Sequence, residues 1–216
     1  MVIIGAKGLA KELLTALSWD NIDKGLYFFD DVSENLPDKL FDKYTVVKSW
    51  NQLGSHFVKH SPNFILGVGG PKIRYQLSKK STDLGGVLSS YISTYSMIGE
   101  YGNVIENGVC ILSNVTITCD IRIGKGSLIN KNVTISHDVK VGIYCEISPG
   151  ATVLGRAQIG DFTSIGAGAI ILPDIIVGKN CTIGAGAVVT KDVPDNSVVA
   201  GIPAKVIKRN EEIVYE

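Results

Sequence analysis

Residues 123–147 read IGKGSLINKNVTISHDVKVGIYCEI. A step of six from Ile123 meets Ile129, Ile135, Val141 and Ile147. The same step runs back through Ile117 and Ile111 to Ile105. It runs forward through Val153, Ile159, Ile165, Ile171, Val177 and Ile183 to Val189. All fifteen positions are Ile or Val, with no insertion between them. Two residues before the aliphatic stands a small or β-branched one, as at Ser127, Val133, Cys145, Ala151, Ala157, Thr163, Ala169, Cys181 and Ala187. Directly after it, Gly recurs at 124, 142, 160, 166, 178 and 184.

A period of six matches neither a helix nor a simple alternating strand. It predicts a hexapeptide parallel β-helix, in which each hexad is one short strand plus a corner and three hexads close a triangular coil. The aliphatic points inward and stacks on its equivalents, the small residue fills the remaining space, and the Gly is expected to relieve the backbone at corners. Five coils stacked at strand spacing give a prism about 24 Å long. The periodicity alone leaves the hand of the coil open.

The rest of the sequence sets bounds on partners. Lys+Arg and Asp+Glu both number 21 among 216 residues, which argues against nucleic acid or an anionic membrane as partner. There is no basic leader with an apolar run and no stretch long enough to span a bilayer, so a cytoplasmic protein is expected. Cys110, Cys119, Cys145 and Cys181 are widely spaced with no CxxC. They read as buried reduced thiols rather than a disulfide framework or a zinc site.

Residues 1–85 differ in character from 86–216, and two domains are expected with that boundary. Val2–Ile4 is a short apolar strand, Gly5-Ala6-Lys7-Gly8 a turn, and Leu9, Leu13, Leu14 and Leu17 mark one face of a helix. A second strand over Leu26–Phe29 ends in Asp30-Asp31. A third over Asn63–Val68 ends in Gly69-Gly70-Pro71, with a helix over Lys72–Lys80. This is a βαβ…βα pattern, a small Rossmann-like unit. A glycine turn into a helix offers backbone N–H groups to an anion, and an acidic residue about 20 positions later can bind a ribose hydroxyl. The same residues also fit a plain strand-to-helix turn. Residues 32–62 read as polar and irregular. His56 and His60 lie four apart there, without a third ligand, and are expected on a solvated loop or helix face; no metal is expected.

The pieces IIGAKGLAKELL, FFDD, GVGGPKIR, the hexads, SHDVKVG and GIPAKVIK together resemble the hexapeptide-repeat acyltransferases. The subgroup is that of sialic-acid O-acetyltransferase-like and nucleotide-aminosugar N-acetyltransferases. The resemblance spans nearly the whole chain. It implies an α/β Rossmann-like domain that binds a nucleotide-sugar, followed by an all-β left-handed parallel β-helix. It also implies acetyl-CoA as donor and a homotrimer with active sites between adjacent prisms. Many relatives carry GAGGHG where this chain has Gly5-Ala6-Lys7-Gly8-Leu9-Ala10.

Only one of the three histidines, His137, lies inside the repeat, two residues after Ile135 and therefore at a corner. The corner Gly is replaced around it by Asn130, Ser136, Ser148 and Leu154. Asp138 follows it, and a carboxylate orients an imidazole and raises its basicity. One coil of 18 onward stands Gly155, whose backbone should stack over His137. A thioester needs only a base for the attacking amine or hydroxyl and an N–H donor for the oxyanion. His137 is the candidate base and the Gly155 amide the candidate donor. The resemblance assigns Asp138 as the orienting acid and Asn130 nearby. Ser136-His137-Asp138 is not a hydrolase triad, because sequential residues on one corner do not reach that geometry.

For the donor, the resemblance implies a groove between prisms contacting Gly155, Ala167 and Ala185, with Glu146 beside it and Lys205 meeting a CoA phosphate. For the acceptor it implies Gly5, Gly8, Asp30, Asp31, Gly67 and Gly69, with Arg74 as a weaker candidate; Lys7, which stands where relatives have Gly, is a separate candidate for pairing with a phosphate. The leading expectation is N-acetylation of a nucleotide-linked 4-amino-sugar in surface-glycan synthesis. A sugar O-acetyltransferase and a non-catalytic β-helix scaffold are the alternatives.

Overall fold

A computed structural model describes residues 1–212. The N-terminal unit runs β1 (Val2–Ile4), α1 (Gly8–Trp19), β2 (Tyr27–Phe29), β3 (Lys39–Leu40), β4 (Tyr44–Val47), α2 (Trp50–Lys59), β5 (Asn63–Leu66), α3 (Pro71–Asp83) and β6 (Val87–Leu88). The sheet order is β3-β4-β2-β1-β5-β6, parallel except for the β3–β4 pair. The sixth strand pairs Asn63 with Val87, just past residue 85. Residues 32–62 are not irregular, as the polar composition suggested. They hold a hairpin and a helix, built on the apolar run Tyr44, Val46, Val47 and on Leu53 and Phe57, all buried. Ser49 caps α2 by accepting from the Gln52 N–H.

From Tyr91 the chain coils into two-residue strands on three parallel faces. The first face stacks Tyr91, Cys110, Leu128, Glu146, Ser164 and Thr182. The second stacks Met97, Thr116, Thr134, Thr152, Ile170 and Val188. The third stacks Val104, Arg122, Lys140, Gln158 and Ile176. The result is a left-handed parallel β-helix. All but the first of the repeat aliphatics are buried in one continuous core, and Ile105 packs at its lower end.

The prism begins two strands earlier than the strict repeat. Ile92 pairs with Ile111 and Ile98 with Ile117, a step of 19, whereas Ile105 pairs with Ile123 at 18. One extra residue between Ile98 and Ile105 throws the first two strands out of register.

Corner glycines act differently from expectation. The left-handed backbone falls three residues after the aliphatic, at Asn114, Asp120, Gly126, Asn132, Asp138 and onward by sixes as far as Gly186. The Gly that follows the aliphatic is needed for close stacking instead. A Cβ on Gly124 would lie 2.6 Å from the Gly142 backbone, and one on Gly160 2.5 Å from Lys179 N.

One column of inward residues carries a polar ladder. Ser127 Oγ donates to Gly142 O at 2.9 Å and accepts from the Cys145 N–H, and Thr163 repeats this with Gly178 O and the Cys181 N–H. The thiols of Cys145 and Cys181 alternate with them. Burial pushes the Cys145 thiol up to about 12 and Cys110 to about 11.

The N-terminal unit lies against the first face. Outward-pointing Cys110 and Leu128 are buried with Ile3, Leu13, Leu17 and Phe28 in a shared core. At the adjoining corner Tyr144 and Phe162 stack at 5.8 Å, with Tyr75 of α3 edge-on to both. These two aromatics hold left-handed φ values of 47° and 57°, costly for bulky residues and maintained here by that packing. Asp20 at the end of α1 accepts from Tyr91 Oη and Thr94 Oγ1, tying the helix to the first coil.

Candidate functional site

The candidate residues fall into three places on the molecule. The first is the corner between the second and third faces. His137 sits here at half exposure, with Nδ1 2.8 Å from Asp138 Oδ2. Asp138 reaches it from a left-handed residue, a conformation Asp tolerates. This contact uses Nδ1, and Nε2 lies on the Gly155 side of the ring. Gly155 stacks one coil above, as the 18-residue step predicts. A Cβ there would lie 2.6 Å from both His137 Cε1 and Nε2, so the bare α-carbon makes room for the imidazole. No described residue accepts from the Gly155 N–H. At equivalent corners the amides are capped by carboxylates, as Ile143 N by Asp161 and Lys179 N by Asp195.

Two further charges belong to this corner and were missed in the sequence. Arg156 donates from Nε and Nη2 to Asp174 at 2.6 and 2.8 Å. The pair holds the guanidinium above and the Asp174 carboxyl below their ordinary values. The step of 18 from Asp138 to Arg156 to Asp174 was the available signal.

The second place is the corner between the first and second faces. Ala167 and Ala185 stack there, above Ser113, Lys131 and Pro149 in the same column. Exposed Lys205 lies at its upper end, paired with Ala200, while Ala204 N bonds Val188 O. Asn130 is also at this corner, buried, its Oδ1 capping the Lys131 N–H. Within one chain the structure therefore does not bring Asn130 to His137; the six residues between them span one whole face.

The third place is the crevice where the N-terminal sheet meets the first face. Strand order reverses at β1, with β2 on one side and β5 on the other, the point at which open α/β sheets bind ligands. The loops after β1 and β5 converge there. Gly5 has φ +110°, and a Cβ on it would lie 2.9 Å from Gly67 O. A Cβ on Gly67 would lie 2.5 Å from Ile3, so this glycine serves β1–β5 packing. Lys7 is the N-cap of α1 without a side-chain cap, and Gly8 opens the helix with nothing within 4 Å of its Cβ position. Asp30 Oδ1 and Oδ2 accept from Ser33 N and Ser33 Oγ, which spends much of this carboxylate on its own turn. Asp31 accepts from Trp50 Nε1. Both aspartates line a cavity of 190 Å³ with Ser33, Asn35, Leu36 and Lys48.

Two expectations are corrected here. Glu146 does not face a donor groove at a corner. It points out of the first face and accepts from the Gly70 N–H at 2.6 Å, beside Gly69. Arg74 is not a ligand-facing residue. It is fully buried and donates to Gly126 O, Leu66 O and Val68 O, riveting β5 to the prism. Burial lowers its guanidinium from the ordinary value, opposed by Cys110 and Glu146.

His56 is not solvated either. It packs on Tyr27 at 4.3 Å and on His60 at 4.8 Å, with Nε2 unpaired. Among the described residues no group of three or more His, Cys, Asp or Glu is arranged to hold a metal ion. No helix there is long and apolar enough to cross a membrane.

Comparison with known proteins agrees with this geometry. The model of bacterial transferase hexapeptide repeats matches residues 120–155 and 156–191. No curated protein matches the chain's sequence at a significant level. Among solved structures, a mutant perosamine N-acetyltransferase from Caulobacter crescentus, in complex with CoA and GDP-perosamine, is 25% identical. It superposes with TM-score 0.88 over 96% of each chain. The acetyltransferase domain of PglB from Neisseria gonorrhoeae is 27% identical with TM-score 0.85, over 95% of this chain and 98% of that one. WeeI from Acinetobacter baumannii matches equally well, at 27% identity and TM-score 0.85, over 95% and 98%. The repeat model covers a third of the chain and the likenesses run its whole length, so in repeat and fold this chain is similar to hexapeptide-repeat acetyltransferases.

Proposed function

We propose that the chain transfers acetyl from acetyl-CoA to the amine of a nucleotide-linked amino-sugar, a 4-amino-sugar of surface-glycan synthesis, with His137 as general base. The observation that carries this reading is the His137–Asp138 contact at 2.8 Å, with the imidazole stacked on Gly155. Asp138 fixes the Nδ1–H tautomer and leaves Nε2 as the acceptor of a proton. The neutral amine attacks the thioester carbonyl, and the carbonyl oxygen gains charge. Nε2 removes the proton from the attacking nitrogen. Collapse breaks the C–S bond and releases CoA, which takes up a proton. The uncapped Gly155 N–H is the donor offered to the developing oxyanion.

The acceptor's nucleotide would lie in the crevice at β1 and β5. The α1 N-terminus and Lys7 would meet its phosphates, and Asp30, Asp31 and the loop Gly67–Gly69 its remaining polar groups. The pantetheine arm would run along the corner with Ala167 and Ala185 toward Lys205. The layout supports reading the assembly as a homotrimer. In a triangular section the corner bearing His137 lies opposite the first face, against which the acceptor crevice is built. One chain thus holds base and acceptor pocket on opposite sides, and a neighbouring prism supplies the missing part. A cytoplasmic setting suits the buried thiols Cys110, Cys145 and Cys181.

The reading is tested by kcat/KM with GDP-, UDP- and dTDP-linked amino-sugars in His137→Ala and Asp138→Asn. Loss of about 10²-fold or more in the first is expected. Undiminished turnover there would remove the base.

A further inference from the structure

Five residues repeat at 18-residue intervals up the catalytic corner: Asp120, Asp138, Arg156, Asp174 and Asp192. The corner position is left-handed at Asp120, Asp138, Arg156 and Asp174. Elsewhere this column holds mainly Gly, Asn and Asp, which suit that backbone, so an arginine at φ +64° is out of place by conformation alone. Its amide bonds His137 O at 2.9 Å, which sets it directly above the His137–Asp138 pair. The guanidinium therefore has an aspartate one rung below and another one rung above. It takes the upper one with two bonds, at 2.6 and 2.8 Å. It still feels the charge of Asp138 across the rung.

We infer that Asp174 is a positioning residue for the transfer reaction: it holds Arg156 away from Asp138 and so reserves that carboxylate for His137. The inference rests on the reading of His137 as base. Without Asp174 the guanidinium has one remaining carboxylate within a rung, Asp138. Bidentate Arg–carboxylate pairs are stronger than an imidazole–carboxylate contact involving a neutral ring. Arg156 then either displaces the imidazole or shares the carboxylate, and Nδ1 loses its acceptor. The ring is freed to adopt the Nε2–H tautomer, which cannot take a proton at Nε2. Gly155 lies above the ring, Asp138 N bonds Cys119 O in the coil below, and Asp174 also interacts with His137 electrostatically, which is why the double variant, lacking Asp174 too, is the decisive control. Asp120 stands one rung below Asp138 in the sequence register.

The test uses Asp174→Asn, Arg156→Asn and the double variant in the full-length protein. Asn suits the left-handed backbone, as Asn114, Asn132 and Asn180 show at the same hexad position on the other two corners, so the fold is retained. The readout is the ring nitrogen chemical shifts of His137 at about pH 9, where an ordinary imidazole is neutral, together with kcat.

In Asp174→Asn the ring should move from the Nδ1–H to the Nε2–H tautomer and kcat should fall about tenfold. Removing the competitor as well, in the double variant, should restore the Nδ1–H form and bring kcat to within about threefold of the parent. An unchanged tautomer in Asp174→Asn overturns the inference, as does a double variant no better than the single. A tautomer that moves and is rescued while kcat stays constant supports the charge arrangement and overturns the role of His137 as base.

Discussion

Gly155→Ala separates the proposed catalytic role of the His137 corner from its structural role. The added methyl would lie 2.6 Å from His137 Cε1 and Nε2 and 3.2 Å from Nδ1. Non-bonded atoms of this size sit at about 3.5–4.0 Å, so the ring must retreat by about 1 Å. A misplacement of that size costs about 10²-fold in rate. Stability should hardly change. Gly155 is not among the glycines with left-handed φ, so alanine fits its backbone. The imidazole is half exposed and can swing into solvent. Alanine also restricts the unfolded chain, which stabilises by about 0.4–1 kcal/mol. The N–H of residue 155 is retained, so any loss reports on the imidazole rather than on the oxyanion donor. The assay is release of CoA thiol from acetyl-CoA with the accepted amino-sugar, beside thermal melting by circular dichroism. The account expects kcat/KM down about 100-fold with an unchanged or raised midpoint. Activity within about threefold of the parent would show that the imidazole position does not matter and would refute the reasoning.

Arg74→Met removes a buried cation and leaves the carbonyls of Gly126, Leu66 and Val68 without donors; urea denaturation should show a loss of about 3–5 kcal/mol. A loss below about 1 kcal/mol would mean the rivet is dispensable. With a disulfide reagent at about pH 8, partly exposed Cys119 should react quickly and Cys110, Cys145 and Cys181 slowly, since burial holds all three above the ordinary thiol value. Rapid modification of all four would contradict the packed prism. Burial and the nearby His60 lower the folded-state value of His56. Unfolding then takes up a proton, so this stability is present above about pH 6.5 and is lost as pH falls through that value toward the lowered one. The melting midpoint should drop between about pH 7 and pH 5, and drop less in His56→Phe.

The fold was legible because the hexad states its inward residue at every turn. Reading it depended on an unbroken count, and the one-residue insertion between Ile98 and Ile105 hid the first two strands. The hairpin and α2 escaped because charge and polarity over 32–62 masked short apolar runs. Tyr44-Thr45-Val46-Val47 and the Ser49 cap were the signals available. The side of the prism that receives the N-terminal unit was also encoded. Outward residues on the first face include Cys110 and Leu128, where the third face has Arg122, Lys140 and Gln158.

His137, Asp138 and Gly155 were found together because they obey the 18-residue step. Arg156 and Asp174 obey it too, but need the rung above to be considered. Arg74 and Glu146 could not be assigned from local sequence, because their partners are 52 and 76 residues away. A helix pattern gives no warning that one arginine on it reaches through the core to another unit. Asn130 shows the converse, since closeness in sequence to His137 puts it one face away on a coil.

The measurement that bears most directly on the central claim is release of free CoA from acetyl-CoA across a panel of nucleotide amino-sugars and sialic acid, with the parent protein and His137→Ala side by side. The account predicts turnover of one nucleotide-linked amino-sugar by the parent and a loss of about 10²-fold or more in the variant. Turnover of sialic acid alone would make the acceptor a hydroxyl, and equal turnover of an amino-sugar by both proteins would contradict the assignment of His137 as base.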